Sequence, residues 1–471
     1  MKKNKEISFY YNNISFLVLV FFTCFAKIAV SQIATGSPYS RYGIGDLQST
    51  GFVQSAGMGG LTVGMRNDTL NPFFINIANP SSYTSNKMTT FEVGLRSNTV
   101  NFTTSSQSQL NNYTSLAYLA FAFPVTKWWG ASFGLVPYSS VGYHAGNQST
   151  IDSIGPVSYQ YNGSGGINRF YIGSSFMPIK HLSVGLNASY MFGNITNERT
   201  VEFNDPSQSN YFNTDILNVT TIGSIYCDFG MQYEWVIRSV PQRTKILKPD
   251  TLHTEMKRYH KRLLQERVKV VFGFTFGPST ALSATNTLLA RDYVNSNGSK
   301  IAIDTAKYIN DANSPITIPL SLGYGITIKK GERWLVGADY AVQNWSAFNS
   351  LGETGVLTNS MRASLGAQYV PNAMTDLPNT FWQHVNYRAG IRYSKTFLDI
   401  GNTPLNDYSF SLGLGFPIGP HRVNYSFSML NIGFEYGQLG TTNNNLLKEN
   451  YYKLTLGFTF DDKWFIKPKF D

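Results

Sequence analysis

Residues 115–138 read SLAYLAFAF, then PVTK, then WWGASFGLVPY. Ser115 to Phe123 has the character of a strand, Pro124-Val125-Thr126-Lys127 that of a tight turn, and Trp128 to Tyr138 that of a second strand opened by two tryptophans. Proline suits such a turn because its fixed φ starts the reversal and it has no N–H to offer a ladder. The same unit recurs. Phe170–Met177 turns at Pro178-Ile179-Lys180-His181 and returns as LSVGLNASYMF. Ile316–Lys329 turns at Lys330-Gly331-Glu332 and returns as Trp334–Tyr340. Tyr408–Phe416 turns at Pro417-Ile418-Gly419-Pro420 and returns as HRVNYSFSML. Within a strand the faces differ: Phe91, Val93 and Leu95 fall on one side, Glu92, Gly94 and Arg96 on the other, the period-2 pattern of a wall with one apolar and one polar face.

Extended along the chain, the pattern predicts an all-β protein. It is a transmembrane antiparallel β-barrel of 14 strands, at about 89–102, 113–123, 129–141, 168–177, 182–203, 219–237, 269–285, 316–329, 333–345, 359–370, 384–397, 407–416, 421–436 and 449–460. Polar stretches such as Gly146–Asn168 and Asp205–Asn218 read as long outer loops, and the short turns as periplasmic, with both barrel ends on the periplasmic side. The tryptophans Trp128, Trp129, Trp235, Trp334, Trp345, Trp382 and Trp464 all fall at or just beyond strand ends, where aromatic girdles are expected.

Composition agrees. Aromatic residues make up 15% and charged residues 14%, against about 25% charged in soluble domains. Such a chain has little charge to cover a water-facing surface. The first residues read as a secretory leader, 1–31: Lys2, Lys3 and Lys5, then the apolar run Ile14–Ala26, then Ala29-Val30-Ser31, with cleavage expected after Ser31 and export to the Gram-negative outer membrane. Cleavage leaves Cys227 as the one cysteine, so no intrachain disulfide is available. Ten Lys/Arg and three Asp/Glu lie in 238–269. The pI of about 9.3 therefore describes one insert and not a nucleic-acid-binding face.

Two segments stand outside the wall. Residues 32–88, rich in Gly, Ser, Asn and Pro, precede the first strand and suit a hatch folded into the lumen. Within them Phe73, Phe74, Ile75 and Ile77 are apolar enough to touch a ligand, although packing on the inner wall is the more economical reading. The basic insert 238–268 suits a helix from about 250 to 265, with Leu252, Met256, Tyr259 and Leu263 on one stripe and Lys257, Arg258, Lys261 and Arg262 on the other faces, for a periplasmic partner or a membrane surface. A short periplasmic tail, 461–471, closes the chain.

The chain resembles the FadL/TodX family of outer-membrane hydrophobic-compound transporters, in its Bacteroidota branch. The resemblance is carried by Ser37-Pro38-Tyr39-Ser40-Arg41-Tyr42-Gly43-Ile44-Gly45-Asp46, Met58-Gly59-Gly60, and Asn76-Ile77-Ala78-Asn79-Pro80-Ser81-Ser82-Tyr83. Asn79 and Pro80 stand where the family has its Asn-Pro-Ala hatch motif, with Ser81 in place of Ala. In the barrel it is carried by Asp339 and Tyr340, Asn344 and Trp345, Tyr387-Arg388-Ala389-Gly390, and Gly457-Phe458-Thr459-Phe460. It implies a 14-stranded barrel, a luminal hatch, and passage of long-chain fatty acids or aromatic hydrocarbons through the barrel wall. The basic insert and the tail depart from that pattern.

Catalytic signals are lacking: there is no nucleophile elbow in a strand-turn-helix context and no Walker loop, and the six histidines are scattered. No enzyme activity, cofactor, metal or nucleic-acid partner is expected. Passive uptake of hydrophobic small molecules through a barrel set in outer-membrane lipid is the leading reading. The alternative is a barrel-anchored component or shuttle of a protein-secretion assembly, like the PorV-type barrels of type IX secretion.

Overall fold

The structure is a computed structural model that describes residues 36–67, 73–152, 154–203, 211–241, 265–296, 299–348, 357–371, 381–418 and 427–464. The expected leader, the helix within the basic insert with Lys257, Arg258, Lys261 and Arg262, and most of the tail lie outside these residues.

Fourteen strands form the wall: β1 (Thr89–Thr103), β2 (Ser108–Pro124), β3 (Trp129–Ile151), β4 (Gly155–Ile179), β5 (Leu182–Phe203), β6 (Asn213–Pro241), β7 (Gln265–Gly277), β8 (Ser321–Lys330), β9 (Trp334–Gln343), β10 (Ser360–Tyr369), β11 (Asn386–Ile400), β12 (Thr403–Ile418), β13 (Phe427–Leu439) and β14 (Lys448–Asp462). Each pairs antiparallel with its chain neighbour, and β14 closes the ring on β1 through register pairs such as Gly457↔Gly94.

The two faces invert those of a soluble protein. Glu92, Arg96, Arg169, Asn187, Ser411 and Asn431 point inward and are buried, whereas Phe170, Ile172, Phe229, Leu365, Ile391 and Leu412 point outward and are exposed. Outward aromatics mark the edges of the apolar band. At the short-turn rim Trp128, Trp129 and Phe176 cluster, Trp334 packs on Tyr369, and Phe381 and Trp382 pack on Phe416; towards the other end Tyr393 meets Tyr408 and Tyr436 meets Tyr452. Tyr408 and Phe416 sit on the same strand. Eight steps of about 3.3 Å, tilted about 40°, give a band about 20 Å tall, close to the ~25 Å of outer-membrane barrels. One tryptophan breaks the expectation. Trp345 is fully buried against Phe397 and Phe348 and belongs to an inner cluster, not a girdle.

The strands run further than alternation predicted. Gly146–Asn168 and the end of Asp205–Asn218, expected as loops, are largely ladder, with β3 paired to β4 as far as Ile151↔Gly155 and β6 starting at Asn213. Both faces are wet there, so Asn, Ser, Thr and Tyr leave no amphipathic signature. An unforeseen hairpin, Ala284–Ser296 and Ser299–Asn313, adds to the outer half of β6 from Ala284↔Ile222 to Tyr293↔Asn213. The expected strand 269–285 leaves the wall after Gly277, and Thr280–Leu282 pairs instead with Ile316–Ile318.

Candidate functional site

Residues 36–67 and 73–88 are mostly buried and touch the inward face of the wall around nearly the whole ring. The contact is built on glycine. Every strand from β3 to β14 carries an inward glycine that faces this inner segment. A Cβ would strike it from eleven of them: Gly130 and Gly173 at Tyr83, Gly185 at Pro80, Gly230 at Asn79, Gly273 and Gly325 at Val63 and Gly64, Gly337 at Leu61, Gly366 and Gly390 at Met58, Gly413 at Gly57, and Gly457 at Val53; from Gly433 a Cβ would come into ordinary contact with Val53 at 3.4 Å. On β1 and β2 the place is taken by Tyr118. Its ring covers Gly94 and stacks on Phe52 with centroids 3.9 Å apart. The sequence signal was present, as one glycine on the polar face of strand after strand, but single-strand reading assigned glycines only to turns and wall.

Buried carboxylates tie the segment down. Asp339 on β9 accepts the backbone N–H groups of Thr62 at 2.5 Å and Val63 at 2.7 Å. Glu92 on β1 accepts Ile75 N–H at 2.8 Å and the Gln54 amide at 2.5 Å, and Asp461 on β14 accepts Phe73 N–H at 2.9 Å. Each carboxyl group accepts hydrogen bonds from donors that no regular element satisfies.

The residues singled out from sequence thus have definite places. Phe73, Ile75 and Ile77 are buried against the wall, and Asn187 donates to the Ile77 carbonyl at 3.0 Å. Phe74, half-buried, packs beside Met58, Leu61 and Met65. Asn79 is fully buried; its amide donates to the Val63 carbonyl at 2.8 Å and its oxygen accepts Ser81 Oγ at 2.7 Å, capping the 3-10 helix Pro80–Ser85. Tyr340 points outward, while Asn344 precedes the short helix that holds Trp345.

The wall has a weak seam between β2 and β3. Their ladder runs only from Leu119↔Leu135 to Pro124↔Gly130, six pairs, although β2 makes fourteen with β1 and β3 makes twenty-two with β4. Two local features part them. Ala117 is the extra residue of a bulge opposite Gly94 and Leu95, and Pro137 on β3, which has no N–H, is followed by a second bulge at Tyr138. Above the seam the free edge of β3 pairs with the inner segment instead. Asp46 lies opposite Ser140, Leu47 opposite Ser139, and Gln48 N–H donates to the Tyr138 carbonyl at 2.9 Å. The preceding helix, Pro38–Arg41, sits on the same edge through Ser40 and Gly142 N–H at 3.1 Å. Tyr39 anchors the other side, donating to the Leu447 carbonyl at 2.6 Å and accepting Leu447 N–H at 2.9 Å. Burial pushes its phenol up to about 12, so it remains a neutral donor.

Behind the seam is a chamber of about 470 Å³. Towards the outer end it meets an apolar cluster that includes Ile44, Val141, Ile167, Met191, Leu282, Ile318, Trp345 and Leu398. Its sides are charged. Arg392 donates to Asp407 at 3.0 Å and Glu435 at 2.7 Å, Tyr451 donates to Asp407 at 2.6 Å, and Arg169 is paired with Asp228. Sequence reading foresaw none of these groups as a site, because each is one inward residue on a separate strand.

A protein-family model, BamG, matches residues 13–249 and 241–471. The chain belongs to the BamG family. No curated protein matches this BamG-family chain. Among solved structures, the toluene transporter TodX of P. putida is 16% identical with a TM-score of 0.51, over 90% of this chain and 100% of that one. A FadL homologue of Pseudomonas aeruginosa is 11% identical with a TM-score of 0.51, over 89% and 99%. At these identities the likeness is one of fold: the BamG-family chain has the 14-stranded barrel fold of the FadL/TodX-type structures.

Proposed function

We propose that the barrel is an outer-membrane conduit for hydrophobic small molecules, long-chain fatty acids among them, entered sideways through the seam between β2 and β3. The observation that carries this reading is the six-pair ladder, which leaves the outer half of the wall at β2 and β3 without direct pairing, in front of a chamber. A ligand with a long acyl chain draws its affinity from burial, at about 0.8 kcal/mol per methylene, and a side entrance lets it pass from lipid without crossing water. The fold shared with a barrel described as a toluene transporter agrees with this. In the same reading residues 32–88 act as the hatch, and the segment at Asp46–Leu47 is what moves. The test is uptake of radiolabelled oleate by cells lacking the protein, with and without a plasmid copy. Uptake that is independent of the protein refutes the conduit.

A second reading, an anchor for a periplasmic or secretion assembly, is favoured by the inner segment's close fit to twelve strands, which opposes passage straight through. The insert 238–268 is the proposed docking element, because Pro241 and Gln265, paired in the ladder, hold its ends at the short-turn rim. Stoichiometric co-purification of partners that is lost on deleting 241–266 supports it, and a clean monomer counts against it.

A further inference from the structure

The motif at residues 37–46 carries more attachments than a plug for the seam needs. Ser37 Oγ donates to Glu449 at 2.5 Å, and Tyr39 is tied to Leu447. Ser40 and Gln48 hold the free edge of β3, and Gln48 Oε1 also accepts from Arg96 on β1 at 3.3 Å. Between these fixings the chain makes a tight turn, with Gly45 N–H donating to the Tyr42 carbonyl at 3.1 Å. Gly43 and Gly45 have φ of 60° and 92°, conformations that other residues rarely adopt. They put Ile44 at the tip of the turn, 1% exposed, in the apolar cluster at the outer end of the chamber. Tyr39 belongs to the same cluster, and Tyr42 and Leu47 pack against it. That cluster reaches across the outer mouth. Val141 and Ile195 come from β3 and β5, whereas Phe397 and Leu398 come from β11, across the ring, where the ladder with β12 is interrupted between Lys395 and Asp399. The turn meets both sides within two residues. A Cβ on Gly45 would come to 2.5 Å from the Ser140 carbonyl oxygen, and a Cβ on Gly43 would stand 3.9 Å from the Phe397 ring. Exposing a fully buried isoleucine shifts an equilibrium by roughly 10- to 150-fold. Asp46 is two residues from Ile44, and two residues span at most about 7 Å, so the ladder at 46–47 has little travel while Ile44 stays seated.

We infer that residues 37–48 are a clasp that closes the outer mouth and the side seam as one unit: the seam opens when Ile44 leaves the cluster that spans the mouth. This deepens the conduit reading and rests on it for the purpose of opening. The coupling itself belongs to the fold and is measured without a substrate. The apolar cluster thereby sets how often the seam opens. Residues on β11, whose ladder partners are β10 and β12, act on the distant seam through Phe397 and the turn at Gly43.

The experiment is amide hydrogen exchange of the folded, full-length protein in a maltoside detergent, read at Gln48, whose N–H donates to the Tyr138 carbonyl on β3. Ile44→Ala is expected to speed exchange there by about tenfold or more, and Phe397→Ala, on the far side of the mouth, by about threefold or more. Amides of the β8–β9 ladder should keep their rates. Heat-modifiable mobility on gels establishes that each variant is folded. Should an alanine variant not fold, Phe397→Leu and Ile44→Val act in the same direction at smaller size, roughly 2- to 12-fold for Ile44→Val. Ile75→Ala is the control. Ile75 is as buried as Ile44 but lies in a separate cluster, so Gln48 should exchange at the wild-type rate. Unchanged Gln48 exchange in the folded Phe397 variants overturns the coupling, and so does equal acceleration by Ile75→Ala. The two readings fail separately. Oleate uptake that is independent of the protein refutes the conduit and leaves these rates as they are, whereas rates indifferent to Phe397 refute the clasp with uptake intact.

Discussion

A single methyl group on Gly390 tests whether the inner segment is built into the wall. The backbone φ of Gly390 is not in the left-handed region, so alanine there carries no conformational penalty of that kind. What it carries is steric. Its Cβ would come to 2.6 Å from the Met58 carbonyl oxygen and closer still to the Met58 carbonyl carbon and the Gly59 nitrogen, all main-chain atoms that cannot rotate aside. Overpacking of this kind costs about 1–3 kcal/mol. The same main chain contacts Gly366, and Gly59 N–H donates to Ser411 Oγ at 2.7 Å, so the strain falls on residues 58–60. If it is relieved by lifting the segment, local opening becomes easier by a factor of roughly 5 to 150, since 1.4 kcal/mol is tenfold. Hydrogen exchange at Gly59 and Gly60, in the folded protein in detergent, reads this directly. Gly146→Ala is the control, because the nearest atom to its Cβ would be the Tyr159 carbonyl oxygen at an ordinary 3.4 Å. Equal protection of Gly59 in wild type and Gly390→Ala refutes the close-fit argument.

Four further outcomes follow. Asp339→Ala removes the acceptor of two buried amides, so Thr62 and Val63 amides should lose protection in exchange measurements while strand amides of β12 keep theirs. Leu47→Cys with Ser139→Cys, in a Cys227→Ser background, places thiols at facing ladder positions where antiparallel spacing suits a disulfide; oxidation should stop oleate uptake and reduction restore it, and uptake indifferent to redox state excludes movement of this segment. Trp345→Ala should cost about 3–5 kcal/mol in detergent unfolding, whereas Trp382→Ala, at a site 65% exposed, should cost under about 1 kcal/mol. Deleting residues 32–87 should make proteoliposomes leak small dyes, and tight vesicles containing folded, deleted barrel would show that the wall closes without them.

The wall was legible because membrane barrels encode it locally. Phe91, Val93 and Leu95 against Glu92, Gly94 and Arg96 decide a face without knowledge of any partner strand, and the Pro-containing turns at 124–127 and 178–181 decide the reversals. Where both faces meet water, as at 142–151, 155–166 and 284–313, the alternation vanishes and the ladder with it. Trp345 was misassigned for a related reason. Its position at a strand end is visible in sequence, whereas its inward direction depends on the short helix that carries it. The site was mostly hidden. The seam needs a bulge at Ala117 and a proline at 137 on adjacent strands, and the chamber needs Arg392, Asp407 and Glu435, one residue from each of three strands, brought together only in the folded ring. Asp339 and Asn79 were found through motif resemblance, but their shared task, holding residues 62–64, was not readable from either alone.

The glycine lining also bears on how the barrel counts its strands. A β-ladder is indifferent to circumference, since one more or one fewer strand forms the same hydrogen bonds. The segments 53–64 and 79–84 are not indifferent, because they meet strand after strand from β3 to β14 at a glycine, and the remaining two are reached through Tyr118 and Phe52. A ring of thirteen or fifteen strands would bring side chains to places cut for none, or leave the segment without contact on one side. Residues that precede every strand in the chain thereby serve as the gauge to which the wall is closed.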